Sequence, residues 1–345
     1  MRNRFDYANL TSVEGLFQAW SEFRKGKSKR ADVQRFERHL EDNLFTLHRK
    51  LKNKSYRHGH YQAFYVQDPK LRHIHKASVK DRIVHHLLYT FLYEVFDDSF
   101  ICDTYSCRRE KGTHKGIGRV VDFTRQSSQN YTKNCWALKC DIKKFFASVD
   151  HSILLTLLKK KVKDENALWL LEQIIDSFHS QEGKGMPLGN LTSQVFANIY
   201  LNELDQFAKH TLKIRHYIRY ADDFLLLSDN KEILYQYVTA LRQFLADKLK
   251  IELHPNKIIM RKLDWGIDFL GYIVLPHYRL PRVKTKRRVF EKLKGKICSD
   301  TFEQSLQSYL GYLSHANSFK TVQQLNNQIW LWLSVHRSIG FENRH

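Results

Sequence analysis

Residues 217–227, Tyr217-Ile218-Arg219-Tyr220-Ala221-Asp222-Asp223-Phe224-Leu225-Leu226-Leu227, decide how this chain is read. Two apolar half-strands flank an acidic pair, a pattern that predicts a hairpin with both carboxylates at its turn. Adjacent acids among apolar residues repel each other and lose hydration, so they need a compensating group. Bound divalent cations supply one. Some 80 residues earlier, Trp136-Ala137-Leu138-Lys139-Cys140 is a second apolar strand, and it ends in Asp141 in a similar way. Three carboxylates offering hard oxygens suit Mg²⁺, and two such ions with open positions serve transfer at phosphorus. A merely polar turn would account for Asp222-Asp223 alone, but not for the second acidic strand end.

Charge points the same way. The 345 residues carry 57 Lys+Arg against 36 Asp+Glu, a formal net charge of +21, with a pI near 9.7. Such a field attracts polyanions, and nucleic acid is the expected partner rather than a mere solubility surplus of lysines. An anionic membrane would need a basic amphipathic helix or a lipidation signal. Met1-Arg2-Asn3-Arg4-Phe5 has neither, and no stretch is apolar and long enough to span a bilayer. Cys102, Cys107, Cys135, Cys140 and Cys298 are an odd number of cysteines, which predicts a reduced, cytoplasmic protein. The pairs Cys102/Cys107 and Cys135/Cys140 invite a zinc reading, but Cys140 lies in an apolar run beside Asp141.

Outward from the hairpin, the pattern mixes strands and helices without regular βαβ alternation, which predicts an α+β fold. The basic run 24–38 opens a helix carried by Phe36, Leu40, Leu44, Leu47 and Leu51. Tyr61–Val66 and Leu71–His75 read as strands around a turn at Asp68-Pro69. Ser78 with Asp81 forms a capping box for a helix with Ile83, Val84, Leu87, Leu88, Phe91, Leu92 and Val95 on its apolar side. Residues 104–119 read as a basic, glycine-punctuated loop, and 153–178 as helix. Thr192 or Ser193 would cap the helix after the 183–190 loop. Asp229 and Glu232 would cap the next one, whose buried stripe is Leu234, Val238, Leu241 and Leu245. Ile251–Met260 and Asp268–Leu275 read as strands. From residue 282 the run RVKTKRRVFEKLKGK carries eight Lys/Arg and one Glu, and a boundary is expected near Lys284.

Tyr220-Ala221-Asp222-Asp223 in an apolar hairpin, after an apolar strand ending in aspartate, resembles the catalytic core of reverse transcriptases. Other blocks follow in the family's order. DIKKFFASVDH (141–151) resembles its first catalytic block, RYADDFLLL (219–227) its second, HPNKI (254–258) its lysine block and FLGY (269–272) its primer grip. The resemblance runs from about residue 60 to the C-terminus. It implies a right-hand polymerase fold, with fingers and palm around an antiparallel sheet and a helical thumb. Residues 1–58 would form a basic N-terminal helical region, 59–284 fingers and palm, and 285–345 the thumb. It also implies an RNA-directed DNA polymerase using two Mg²⁺ ions, with Mn²⁺ as a substitute. Asp141, Asp222 and Asp223 would be catalytic metal ligands, joined by the Ile142 carbonyl. Arg72, Lys80, Arg82, Phe146, Leu188, Gly189, Gln194 and Lys257 would face the nucleotide, with Phe146 screening out the ribose 2′-hydroxyl. Arg108, Arg109, Phe269, Leu270, Gly271, Tyr272, Lys286, Arg287 and Arg288 would hold primer and template, with the basic thumb stripe gripping their backbones. The expected partners are an RNA template, a DNA or RNA primer, the cDNA product and dNTPs.

The subtype signal is GMPLGNLTSQ (185–194). Where most of the family reads Gln-Gly and then Ser-Pro, this chain has Leu188-Gly189 and Ser193-Gln194. That variant resembles the reverse transcriptases of diversity-generating retroelements, bacterial or phage enzymes that copy a template-repeat RNA into cDNA with misincorporation opposite adenine. YSCRREKGTHKGI (105–117) and SYLGYLSHAN (308–317) are similar to this group and to group II intron relatives. The group implies a small basic accessory protein. Alternatives are a bacterial defence-associated reverse transcriptase, which shares the aspartates, a non-catalytic nucleic-acid-binding scaffold, and a nucleotide cyclase, which needs neither primer grip nor basic thumb.

Overall fold

The structure, a computed structural model, describes residues 6–67 and 70–342, with side chains as far as Ser334. The expected turn at Asp68-Pro69 lies outside the described residues. In chain order the helices are α1 (Tyr7–Leu10), α2 (Val13–Arg24), α3 (Ala31–Glu37), α4 (Leu40–Lys52), α5 (Val79–Phe96), α6 (Thr113–Ser127), α7 (Phe145–Ser148), α8 (His151–Lys161), α9 (Glu165–Ile175), α10 (Leu191–Gln206), α11 (Lys231–Leu249), α12 (Val283–Lys294), α13 (Phe302–Ser314) and α14 (Phe319–Glu342). The strands are β1 (Gln62–Gln67), β2 (Leu71–Lys76), β3 (Trp136–Asp141), β4 (His216–Tyr220), β5 (Asp223–Ser228), β6 (Ile259–Lys262), β7 (Ile267–Phe269), β8 (Tyr272–Leu275) and β9 (Tyr278–Pro281). The mixture is α+β, with three separate sheets.

The chain forms two compact units, each discontinuous in sequence. One comprises Met1–Glu110, Cys140–Phe224 and Gln236–Ile258; the other comprises Lys111–Lys139, Leu225–Tyr235 and Ile259–His345. In the first unit, α2 turns Leu16, Ala19, Trp20 and Phe23 inward at helical spacing and packs on α5. Ser78 caps α5 by accepting from the Asp81 amide, and its hydroxyl also donates to the Asp81 carboxylate. The expected apolar positions from Ile83 to Leu92 are all buried there. Helix α10 packs against α5, and a bond between His85 Nδ1 and Thr192 Oγ1 at 2.7 Å joins them. The β1–β2 hairpin is antiparallel, with Tyr65 opposite His73, and every residue of β1 is exposed.

Strand β3 pairs with β6 antiparallel, Leu138 opposite Met260. In the second unit, β7, β8 and β9 form an antiparallel sheet. Val289, Leu293, Leu313, Leu325 and Ile329 make the core of α12, α13 and α14, with Leu306, Tyr309, Leu310 and Trp332 packed on it.

Several elements differ from the sequence reading. The cap of α10 is Asn190, two residues ahead of Thr192, because the helix starts at Leu191. At α11 it is the Asn230 carboxamide, not Asp229, that accepts the Glu232 and Ile233 amides. The expected strand from Ile251 shortens to β6, because Pro255 removes an amide and starts a 3-10 turn through Lys257. The expected helix 153–178 is broken at Asp164, whose carboxylate caps α9. On α14, Ile329 and Trp332 pack on the helical core, while Trp330 and Leu331 face solvent.

Candidate active site

All the candidate catalytic and nucleotide-facing residues belong to the first unit. Asp141 ends β3, and its carbonyl accepts the His254 amide at 2.8 Å. Ile142 is buried and bridges to Leu253. These contacts bring residues 254–257 to the strand end, where Lys257 Nζ donates to Asp141 Oδ1 at 2.7 Å. Two blocks far apart in the sequence are therefore joined by a direct ion pair.

Asp222 occupies the turn between β4 and β5, and Asp223 opens β5. Ala221 before them has φ +55°, a left-handed conformation that swings the chain out of the β4 register. Burial raises the Asp222 carboxyl above its ordinary range, and the nearby Asp141 carboxylate raises it further; the charges of Lys257 and Arg72 oppose both. The Asp222 carboxylate thus ionises less readily beside Asp141, with two cations partly offsetting the effect. These are hard oxygen donors whose repulsion a divalent cation relieves, so the residues fit such an ion. Among the described residues, however, no three His, Cys, Asp or Glu side chains converge as a metal-holding group. The convergence seen is that of Asp141 and Asp222.

The other candidates sort by what they touch. Arg72, on the exposed first half of β2, is close enough to act on Asp222. Arg82 is instead committed to Asp32 at 2.5 Å, with its guanidinium over the Phe23 ring, which makes it an anchor for the N-terminal helices. Lys80 donates to the Arg57 carbonyl and lies over the Tyr56 ring. Phe146 meets Phe145 edge-on, and its carbonyl accepts the Met186 amide at 2.6 Å, tying α7 to the loop that leads to Leu188. The Leu188 carbonyl accepts the His75 amide at 2.9 Å, and Asn190 Nδ2 donates to the His75 carbonyl at 2.8 Å. Between them Gly189 has φ +107°, and a Cβ there would come within 2.8 Å of Ile74. Glycine is required at this point for two reasons, its dihedral angle and the close approach of β2. Gln194 is exposed on α10.

Arg108 is held inward rather than toward a nucleic acid. Its Nε donates to Asp97 at 2.7 Å, Nη1 to the Ile101 carbonyl and Nη2 to the Asp97 carbonyl. Arg109 lies over the Tyr93 ring. In the second unit, Phe269 and Tyr272 are buried, and Leu270 (φ +49°) and Gly271 (φ +90°) make the turn between β7 and β8. Tyr312 Oη donates to the Gly271 carbonyl at 2.6 Å, and Tyr272 Oη donates to the Tyr312 carbonyl at 2.9 Å. Lys286 Nζ donates to Gln324, and Arg287 is exposed; Arg288 also belongs to α12. His75, Asn190 and Tyr312 are positioning groups that the sequence reading missed. Asn190 and Tyr312 lay within the quoted blocks 185–194 and 308–317, whereas His75 carried no signal beyond its place at the end of an expected strand.

Comparison with known proteins bears on the same stretch. Residues 66–274, well over half of the chain, match the family model described as Reverse transcriptase (RNA-dependent DNA polymerase). Protein YkfC of Escherichia coli (strain K12) is 24% identical over 259 residues, 62% of this chain and 68% of YkfC. Group II intron-encoded protein LtrA of Lactococcus lactis subsp. cremoris is 20% identical over 341 residues, 78% of this chain and 54% of LtrA. An uncharacterized 91 kDa protein in the cob intron of Schizosaccharomyces pombe is 27% identical over 140 residues, 39% of this chain and 16% of its own length. The chain therefore spans about half of LtrA and a small part of the cob intron protein. Among solved structures, apo telomerase from Candida tropicalis gives a TM-score of 0.48 at 12% identity, covering 70% of this chain and 60% of the telomerase chain. No helix among the described residues is long and apolar enough to cross a membrane. Because the matched stretch contains Asp141, the Tyr220–Asp223 turn, Lys257 and Phe269–Tyr272, the chain belongs to the reverse transcriptase family and has its right-hand polymerase fold.

Proposed function

We propose that this chain is a divalent-cation-dependent RNA-directed DNA polymerase that extends a primer on an RNA template, and that it serves a diversity-generating retroelement. The observation that carries the first part is Asp141 at the end of β3, paired with Lys257 at 2.7 Å, beside an Asp222 whose carboxyl is raised by burial and by Asp141. Asp141 and Asp222, with Asp223 and the Ile142 carbonyl, would hold Mg²⁺ or Mn²⁺. Such cations, when bound, supply Lewis-acid stabilisation at the reacting phosphate oxygens. Arg72 offers its guanidinium fork to the triphosphate. Lys257, paired with Asp141, presents its side-chain nitrogen where negative charge develops. Phe146 presents an apolar ring at the position that excludes a ribose 2′-hydroxyl. The thumb stripe of α12 reads phosphates and A-form shape rather than sequence.

The retroelement assignment rests on Leu188-Gly189 and Ser193-Gln194. A leucine side chain has no hydrogen-bonding group to orient a nucleotide, and losing one such contact relaxes discrimination by about 1–3 kcal/mol. The backbone of Leu188 is meanwhile anchored to β2 through His75, so Leu188→Gln can restore a polar group without moving the loop. The cDNA would then be error-prone opposite template adenine, with a small basic accessory protein as partner.

The test is extension of a labelled primer on a defined RNA with Mg²⁺ and dNTPs, with the product sequenced. Wild type should extend, and Asp222→Ala/Asp223→Ala should lose at least about a thousandfold in rate. Leu188→Gln should lower misincorporation opposite adenine about tenfold. No extension by wild type, even with cognate RNA and accessory protein, would refute the polymerase reading. Equal error spectra for wild type and Leu188→Gln would remove the role given to Leu188.

A further inference from the structure

Arg219 heads the large side chains that this fold buries completely, and it stands on β4 two residues before the left-handed Ala221. A guanidinium stays charged in a protein interior, so every donor it carries must be satisfied there. Arg219 Nε donates to Asp205 Oδ1 at 2.8 Å, and Nη2 donates to Oδ2 at 2.6 Å. Asp205 lies on α10 and is equally buried. Its remaining acceptor capacity takes the Tyr217 hydroxyl at 2.7 Å and the Thr104 hydroxyl at 2.8 Å. The third guanidinium nitrogen, Nη1, is the one that reaches the turn. It donates to the Ala221 carbonyl at 3.0 Å and to Asn198 Oδ1 at 3.3 Å. The backbone of Arg219 is held as well, its amide by the Asp103 carbonyl and its carbonyl by the Tyr105 amide, each at 3.0 Å.

A buried ion pair adds little stability over apolar residues of the same shape. What this network does deliver is a fixed position for one carbonyl, and that carbonyl belongs to the strained residue directly before Asp222. Alanine has no intrinsic preference for φ +55°, so the turn needs an external hold. We propose that Arg219, oriented by Asp205, is a positioning residue for Asp222: its bond to the Ala221 carbonyl fixes the left-handed turn that brings the Asp222 carboxylate within reach of Asp141. The inference rests on the reading of Asp141 and Asp222 as cation ligands. It adds a residue of β4 and one of α10 to the machinery that sets their geometry.

The test compares wild type with Arg219→Met/Asp205→Asn. This variant leaves no buried charge, keeps one acceptor oxygen at 205 for Tyr217 and turns an amide NH2 toward the Thr104 hydroxyl, which can accept, but nothing donates to Ala221. Three quantities are read on the full chain. Amide hydrogen exchange over 221–223 should quicken at least tenfold while α10 amides keep their protection. Mn²⁺ affinity, followed by electron paramagnetic resonance, should fall at least fivefold. Extension rate should fall at least tenfold with primer–template affinity within twofold of wild type. Unchanged turn exchange together with unchanged Mn²⁺ affinity overturns the proposal. If circular dichroism shows that the double variant does not fold, the same three quantities are measured on Arg219→Lys, since one ammonium cannot span both Asp205 and Ala221. The same changes are expected there, and the same unchanged pair overturns the proposal. An inactive wild type whose exchange and Mn²⁺ readouts respond as expected would sink the polymerase reading and leave the positioning role standing.

Discussion

At the scale of single residues, Asp222 opposes function to stability. Its carboxyl is raised above the ordinary 3.8 by burial and by Asp141, so the folded chain binds that proton more tightly than the unfolded one. The stabilising contribution of the protonated group is complete below the unfolded value and is lost as pH rises through the folded one. At neutral pH without divalent cations, ionised Asp222 therefore works against the fold. Asp222→Asn should raise the melting temperature of the metal-free protein at pH 7–8 by roughly 1–3 °C, and the gain should vanish toward pH 3. Calorimetry across that range checks the sign; a variant no more stable than wild type at pH 7 would contradict it. Single residues were also where the sequence was most readable. Asp141, Asp222 and Asp223 stand out because carboxylates in apolar strands are costly. Arg82 was misleading for the opposite reason: its partner Asp32 lies 50 residues away, and no local pattern distinguishes a satisfied cation from one awaiting a phosphate.

At the scale of elements, α12 shows how one helix divides its work. Val289 and Leu293 turn inward to the thumb core, while Val283, Lys284 and Arg287 stay exposed. Reversing Lys286, Arg287 and Arg288 to glutamate should weaken heteroduplex binding at least tenfold at 0.1 M salt. It should also lower the slope of log affinity against log salt by roughly 2–3. The lower figure is favoured, because Lys286 already shares its ammonium with Gln324. Fluorescence anisotropy over a salt series measures both, and an unchanged slope would remove α12 from the interface. Element type was legible wherever periodicity ran long, as in α5 and α11. Ends were less so, because Asn230 rather than Asp229 makes the cap of α11 and Pro255 cuts the strand expected from Ile251. Adjacent polar residues compete for such a position, and only the backbone trajectory selects between them.

At the scale of the whole molecule, the charge of +21 was legible as a property of binding rather than of fold. The division into two units was not, because each gathers segments from three parts of the chain and sequence alone orders such segments only through long-range contacts. The β1–β2 hairpin lends itself to a different use. Its first strand is exposed throughout, and its second is fastened near His75 by the Leu188 carbonyl and the Asn190 carboxamide. A segment so thinly buried is among the first to open to a protease, and Arg72 within it is a trypsin site. Nucleotide seated against Arg72 would slow that cut, so the time course of limited digestion becomes a gauge of site occupancy that needs neither turnover nor a primer.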